Sequence, residues 1–270
     1  MTHSDPLSRS AKLKLRMTVV FMQVSHLLLG RCVYTMHSGL ARGLKRRYGY
    51  GFRLTRRASP EEVFLKSRDY GGKTIYDVGG YIGLTTLFFA LAVGESGQVI
   101  TFEPNPVNCA ELSANLKLNH LQNVTVLPIA VGDAPGYFTM LVDPIFASRG
   151  SLSPEFQRRM LNQYARPIEV KVDSLDHLMQ QYRLPVPDFV KIDVEGFEQQ
   201  VLNGMLHTIK QYHPDLFIEV HGVLKCGLVD WLAAYRYAVY RVESQAIIEP
   251  EHVPNVRGGH LFCSVQPMTW

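Results

Sequence analysis

The chain has 270 residues, of which 46% are hydrophobic and 19% charged, with a net charge of +4. That length and apolar content support a full core in one large domain or two small ones, and exclude a low-complexity or disordered chain. The four cysteines, Cys32, Cys109, Cys226 and Cys263, form no C-x-x-C pair, which excludes a zinc framework and a secreted disulfide scaffold.

Residues 1–60 hold twelve Lys or Arg against a single acid, Asp5, so the rest of the chain is net acidic. A basic arm of this kind is either a solvated face or a contact for an anionic partner, a membrane surface or nucleic acid. Within it the apolar run Met17–Gly30 follows the basic stretch Lys12–Arg16. At roughly 14 residues, interrupted by Gln23, Ser25 and His26, it falls short of the ~20 that a membrane span needs. A helix that packs on the body or lies on a membrane surface is expected, and no A-x-A site marks it as an export signal. Residues 1–60 are therefore read as a basic helical extension, ending in the linker Tyr48-Gly49-Tyr50-Gly51, and residues 61–270 as the main domain.

From residue 61 strands and helices alternate. Thr74–Val78 is a buried strand, Gly79–Gly83 turns the chain, and Leu84–Val93 is a helix ended by Gly94 and Gly97. Gln98–Phe102 is the next strand, Val107–Asn119 a helix and Val124–Ile129 a third strand. The sequon Asn123-Val124-Thr125 lies beside that strand and is read as a chance match. Tyr137–Val142 and Ile168–Val172 are strands around an irregular polar excursion, Asp143–Pro167. Asp173–Tyr182 is a helix and Asp188–Val194 a strongly apolar strand. Gly196 and Phe197 lead into a helix through Leu206, Pro214–Val220 is a strand, and Ala238–Val242 with His260–Val265 form a closing antiparallel hairpin. This order implies an α/β fold, a mainly parallel twisted sheet with helices on both faces and an antiparallel terminal hairpin. Ligands bind such sheets beyond the carboxyl ends of the strands.

The unusual residues fall at those ends. The glycines after Asp77 permit a tight turn and close backbone approach to a ligand, and the next helix offers free N–H groups. Tyr81 occupies the place of the second glycine in a dinucleotide fingerprint, which disfavours a nicotinamide enzyme, and no Gly-Lys-Ser/Thr follows to make a P-loop. Glu103, ending the next strand, can accept hydrogen bonds from a ribose diol, a need shared by nucleotides and S-adenosylmethionine. Asp193 leaves an apolar strand and requires a partner. It either caps the next helix or faces the cleft together with Glu195, and the strand Leu216–Val220 delivers Glu219 and His221 to the same edge.

Asp77-Val78-Gly79-Gly80-Tyr81-Ile82-Gly83, Phe102-Glu103-Pro104-Asn105, Val131-Gly132-Asp133 and Lys191-Ile192-Asp193-Val194-Glu195-Gly196 with Glu198 resemble the FkbM family of methyltransferases, over roughly residues 70–222. The first turn departs from that pattern, since such proteins usually carry Asn in place of Tyr81 and often Ala in place of Gly80. The resemblance implies a Rossmann-like class I methyltransferase that uses S-adenosylmethionine to methylate oxygen, often a hydroxyl of a sugar, glycan or glycosylated natural product. It implies a cofactor-binding set of Asp77, Gly79, Gly80, Tyr81, Gly83, Glu103, Pro104, Asn105, Ala130 and Asp193, with Glu103 on the ribose and Asp193 next to the sulfonium or acceptor. An aromatic at Tyr81 would crowd the methionine end of the cofactor.

Methyl transfer from a sulfonium leaves the protein to position and polarise, and a sugar hydroxyl needs a general base. Asp193, Glu195 and His221 are the catalytic candidates, His221 having the ordinary pKa closest to neutrality. No metal is assigned, although those three form an oxygen- and nitrogen-rich set. Arg149, Arg158, Arg159 and Arg166 in the excursion are candidates for an anionic group on the acceptor. Two other classes are carried: a binding module that keeps the fold without catalysis, and an RNA methyltransferase. The basic arm suits the latter, but the Asn/Asp-Pro-Pro-Tyr/Phe signature of base-amino methylation is absent. Cytoplasmic location is expected, with residues 1–60 as a candidate membrane contact.

Overall fold

The computed structural model describes residues 32–47, 58–142, 150–160, 165–223, 226–248 and 257–268. In chain order, a strand pair β1 (Tyr34–Thr35) and β2 (Lys45–Arg46) precedes α1 (Pro60–Ser67), β3 (Thr74–Val78), α2 (Leu84–Ala92), β4 (Gln98–Phe102), α3 (Pro106–Leu118) and β5 (Val124–Leu127). Next come β6 (Ala130–Val131), β7 (Gly136–Val142), β8 (Gly150–Ser151), α4 (Pro154–Met160), β9 (Arg166–Asp173), α5 (Leu175–Tyr182) and β10 (Phe189–Ile192). The chain continues through α6 (Glu198–Gly204), α7 (Leu206–Tyr212), β11 (Asp215–Val223), α8 (Cys226–Ala234), β12 (Ala238–Arg241), β13 (Ala246–Ile247) and β14 (Arg257–Ser264).

Eight strands form the central sheet in the order β13-β12-β14-β11-β10-β3-β4-β5. β11, β10, β3, β4 and β5 run parallel, and β14, β12 and β13 close the edge antiparallel. The strand order reverses between β3 and β10, so their carboxyl ends flank the crevice where ligands bind in doubly wound sheets. Both faces of β3 are covered, and its residues are accordingly all buried. On one face Tyr76, Val78, Val190 and Ile192 pack against Leu178, Val201, Ile209 and Leu232 from α5 to α8. On the other, Ile75, Phe189 and Phe217 pack against Phe64, Leu65 and Phe89 from α1 and α2. A smaller sheet, β6-β9-β7-β8, stands beside the crevice.

The structure differs from the sequence reading in three places. Residues 32–47, inside the stretch read as helical, form the β1–β2 pair instead. Gly39 and Gly43 turn it at φ of 86° and 89°. Asn119 holds its edge, accepting from the Lys45 amide at 2.7 Å and donating to the Lys45 carbonyl at 2.6 Å. Met36, Ala41 and Leu44 then pack on Leu87, Leu112 and Leu116. The helix expected to run through Leu206 breaks at Met205, because the Asp176 carboxylate caps α7 through the amides of His207 and Thr208 at 2.7 and 3.0 Å. The excursion after Val142 contains β8 and α4. The closing strands β12 and β14 pair antiparallel as expected, with β13 added on the outer edge of β12 and β14 inserted between β11 and β12. At the sequon, the Asn123 side chain donates to the carbonyls of Ala90 and Gly94 at 2.8 and 2.9 Å, so its amide is used in closing α2.

The expected helix Met17–Gly30 and the linker Tyr48–Gly51 lie outside the described residues. No helix among the described residues is long and apolar enough to cross a membrane.

Candidate functional site

The turn after β3 is built by packing as much as by ligand access. Asp77 is fully buried, and its Oδ2 accepts from the hydroxyls of Thr85 and Thr86 at 2.9 and 2.7 Å, tying the strand end to the first turn of α2. Gly79 and Gly83 have φ of 86° and 94°. A Cβ on Gly79 would overlap the Asp193 carbonyl, and one on Gly80 would overlap the Thr101 hydroxyl. Tyr81 also sits in the left-handed region, at φ 48°, where Asn is tolerated and an aromatic residue is strained.

Gly80 and Thr101 are thus a matched pair, and the buried Thr101 Oγ1 has no hydrogen-bond partner among the described residues. Gly80→Ala alone is expected to lower stability by about 1–3 kcal/mol through overpacking. Adding Thr101→Ala clears the overlap, so the double variant should recover most of the loss in thermal melts.

Glu103 leaves β4 into a cage of donors. It accepts from the Tyr81 amide at 2.9 Å, the Asn105 amide at 2.9 Å and the Asn108 side-chain nitrogen at 3.1 Å. Burial pushes its carboxyl pKa up against these three donors. Asn105 also caps α3, accepting from the Val107 amide at 3.0 Å.

Lys191 lies directly across from Asp77 in the β10–β3 register. Its buried ammonium is 3.4 Å from Asp77 Oδ1 and 3.1 Å from Asp193 Oδ2. Burial alone would lower its pKa, but Asp193 and Asp77 outweigh it and the pKa rises. The turn that follows is fixed at Glu195 (φ 50°) and Gly196 (φ 91°), and the Ser151 hydroxyl donates to the Glu195 carbonyl at 2.7 Å.

His221, on β11, faces a ring of carboxylates. Nδ1 is 3.1 Å from Glu198 Oε1, and Nε2 is 3.5 Å from Glu195, 3.6 Å from Asp193 and 3.6 Å from Glu219. Burial pulls its pKa down, but the Glu198 hydrogen bond and the other carboxylates raise it to about 9. A pKa near 9 favours the imidazolium at neutral pH and weighs against His221 as a neutral base. Asp193 moves the other way to an ordinary ion-paired acid: burial raises its carboxyl pKa, with Lys191 opposing. Glu219 is held down to about 2, first by the neighbouring His260 imidazole and then by His221, against its burial. His260 Nδ1 contacts Glu243 at 2.8 Å, and its Nε2 lies 3.7 Å from Glu61 and 3.8 Å from Glu219. Its pKa also rises to about 9, the carboxylates of Glu219, Glu61 and Glu243 outweighing its burial.

Two imidazoles with folded pKa values near 9, against 6.5 ordinarily, stabilise the fold fully below pH 6.5 and lose that contribution as pH rises through 9. Thermal melts should therefore fall by about 5 °C between pH 6.5 and 9.5, corresponding to ~2 kcal/mol after solvent screening. His221→Gln with His260→Gln should flatten that slope.

These groups enclose one cavity of about 480 Å³. Gly79, Gly80, Tyr81, Glu103, Pro104, Asn105, Ala130, Asp193, Glu195 and His221 all line it. Asp77 and Gly83, also in the expected cofactor set, are not among the residues lining this cavity: the Asp77 carboxylate is turned inward to Thr85, Thr86 and Lys191, and a side chain on Gly83 would meet Leu112. Asp193, Glu219 and His221 offer ligand atoms within 4.8 Å of one another, spacing that could hold a metal ion, with Glu219 rather than Glu195 as the third member. Four contributors were not assigned roles from sequence: Lys191, Glu198, Glu61 on α1 and His260 on β14. A lysine inside the apolar run Phe189–Ile192 was a readable signal, but its partner depends on register. Of the excursion's arginines, Arg149 and the Arg159 side chain lie outside the described residues. Arg158 turns to the Pro154 carbonyl at 3.2 Å, and neither it nor Arg166 lines the cavity. The excursion instead contributes Gly150 and Leu152 to the wall.

Residues 77–242 match the family model of the methyltransferase FkbM domain. Hexuronic acid methyltransferase AglP of Haloferax volcanii is 29% identical over 150 residues, covering 55% of this chain and 56% of that protein. Methyltransferase sdnD of Sordaria araneosa is 26% identical over 155 residues, covering 48% of this chain and 60% of that one. The matches thus span little more than half the length of these curated relatives. A solved methyltransferase FkbM from Methylobacillus flagellatus superposes with a TM-score of 0.47 at 16% identity, covering 76% of this chain and 50% of that one.

Proposed function

Because the chain belongs to the FkbM methyltransferase family, we propose that it transfers a methyl group from S-adenosylmethionine to a hydroxyl of a sugar, glycan or glycosylated small molecule. The observation that carries this reading is that one cavity joins the caged carboxylate of Glu103 to the ion-paired carboxylate of Asp193.

The donor set fits the cofactor. Glu103 is anchored by three N–H donors yet still lines the cavity, an arrangement suited to accepting from a ribose diol. Phe102, Ala130 and Val131 supply an apolar wall for a base, with Asn108 beside it. The cofactor, when bound, supplies an activated methyl group on a cationic sulfur. Asp193, with the raised pKa, is the group placed to take the proton from an acceptor hydroxyl. Lys191 holds that carboxylate in place, and His221 faces it as a fixed positive charge. Glu195 borders the same space through a turn pinned by Ser151. The hexuronic acid named in AglP supports a sugar acceptor. The acidic wall disfavours an RNA backbone, whose phosphates require cations.

Calorimetry with S-adenosylmethionine, followed by transfer of labelled methyl to a panel of glycosides, tests the reading. Micromolar binding and product are expected, whereas absence of cofactor binding leaves a binding module of another kind.

A further inference from the structure

The acceptor end of the cavity is walled by acids. Glu61, Asp193, Glu195 and Glu219 line it, against the cations Lys191 and His221. Those cations are already committed. Lys191 stands between Asp77 and Asp193, at 3.4 and 3.1 Å. His221 is surrounded by Glu198, Glu195, Asp193 and Glu219, all within 3.6 Å. Behind them His260 is shared among Glu243, Glu61 and Glu219. No arginine among the described residues lines the cavity.

Glu61 is the least committed of these acids. It comes from the first turn of α1, outside the matched span 77–242. Its Oε2 lies 3.7 Å from His260 Nε2, beyond hydrogen-bonding distance, and no hydrogen bond to this carboxylate forms among the described residues. Burial raises its pKa, and the neighbouring Glu219 and Asp193 raise it further against His260 and Lys191, so a bound cation would relieve it.

Resting on the methyltransferase reading above, we infer that this cleft selects an acceptor whose hydroxyl is accompanied by a protonated amine, of the amino-sugar class, with Glu61 as the residue that reads the amine. A uronate or phosphorylated sugar would set its anion against four carboxylates with no spare cation. An ammonium donates up to three charge-assisted hydrogen bonds, and a carboxylate with open lone pairs is its natural acceptor. The acceptor class thus departs from the hexuronic acid in the name of the relative AglP.

The full chain, first titrated with S-adenosylhomocysteine by calorimetry, is then examined by saturation-transfer NMR with methyl glucosaminide, methyl glucoside and methyl glucuronide. Each is run in EDTA and again with Mg²⁺. The glucosaminide should bind about tenfold tighter than the glucoside, the ratio one charge-assisted hydrogen bond supplies, and the glucuronide should give no signal. Glu61→Gln should erase the tenfold preference, and Glu61→Lys should transfer it to the glucuronide. Absence of glucosaminide binding overturns the inference. So does glucuronide binding as tight as glucosaminide in either condition, or a preference that survives in both variants. Failure of S-adenosylhomocysteine itself to bind instead removes the methyltransferase reading on which the inference stands.

Discussion

Asp193→Asn should lower kcat by about 10²–10⁴, the usual contribution of a positioned general base, while leaving the affinity for S-adenosylhomocysteine within a few-fold. The carboxylates and imidazoles around the cavity have been pushed apart in basicity. The pKa of His221 is raised to about 9, which leaves little neutral imidazole to accept a proton near neutrality. Glu219 is held to about 2 and is a weak base. Asp193 is raised by burial despite Lys191, which leaves its carboxylate more basic than Glu219 and placed on the cavity wall. The rising limb of the wild-type pH–kcat profile should follow Asp193 ionisation and vanish in the Asn variant. His221→Gln tests the assignment from the other side. Removing a fixed charge beside the base should shift the limb while keeping more activity than Asp193→Asn retains. A larger loss in His221→Gln would make the imidazole the base.

The sheet was legible because its strands are short apolar runs closed by acids and glycines, and because alternation of strand and helix restricts connectivity to a few solutions. Thr74–Val78 and Gln98–Phe102 match the observed β3 and β4 end for end. The same logic placed Glu103 and Asp193 at strand ends. Partnership was not legible, since it depends on register and on elements distant in sequence. Lys191 meets Asp77 only because the two strands pair in that register. Glu61, on the cavity wall, and His260, behind it, come together from opposite ends of the chain. The basicity of His221 was not legible for the same reason: an ordinary pKa describes an imidazole in water, whereas this one has four carboxylates around it. The glycines of the first turn show a subtler case. Their positions were readable, but the atoms that forbid a side chain there are the Asp193 carbonyl and the Thr101 hydroxyl, which only the folded chain brings close.

Lys191→Met should be the most destabilising of the single changes considered. Asp77 is fully buried, and Lys191 nearly so. Removing the ammonium leaves the Asp77 carboxylate with only the Thr85 and Thr86 hydroxyls among the described residues, where its Oδ1 has no hydrogen-bond donor. Breaking a buried pair in this way costs about 3–5 kcal/mol, because an uncompensated charge stays inside the protein. For a domain of this size that corresponds to a fall in Tm of about 10 °C. Removing both charges is a different matter, since the desolvation cost then disappears with the attraction. Lys191→Met combined with Asp77→Asn should recover at least half of the loss, as the Asn side chain can still bond the two threonine hydroxyls. Recovery of stability need not bring back activity, because Asp193 in the double variant lacks the ammonium 3.1 Å away that holds it toward the cavity. A double variant as unstable as Lys191→Met would show that the lysine acts through its packing rather than through its charge. Full activity in the double variant would show that Asp193 is positioned by its backbone alone.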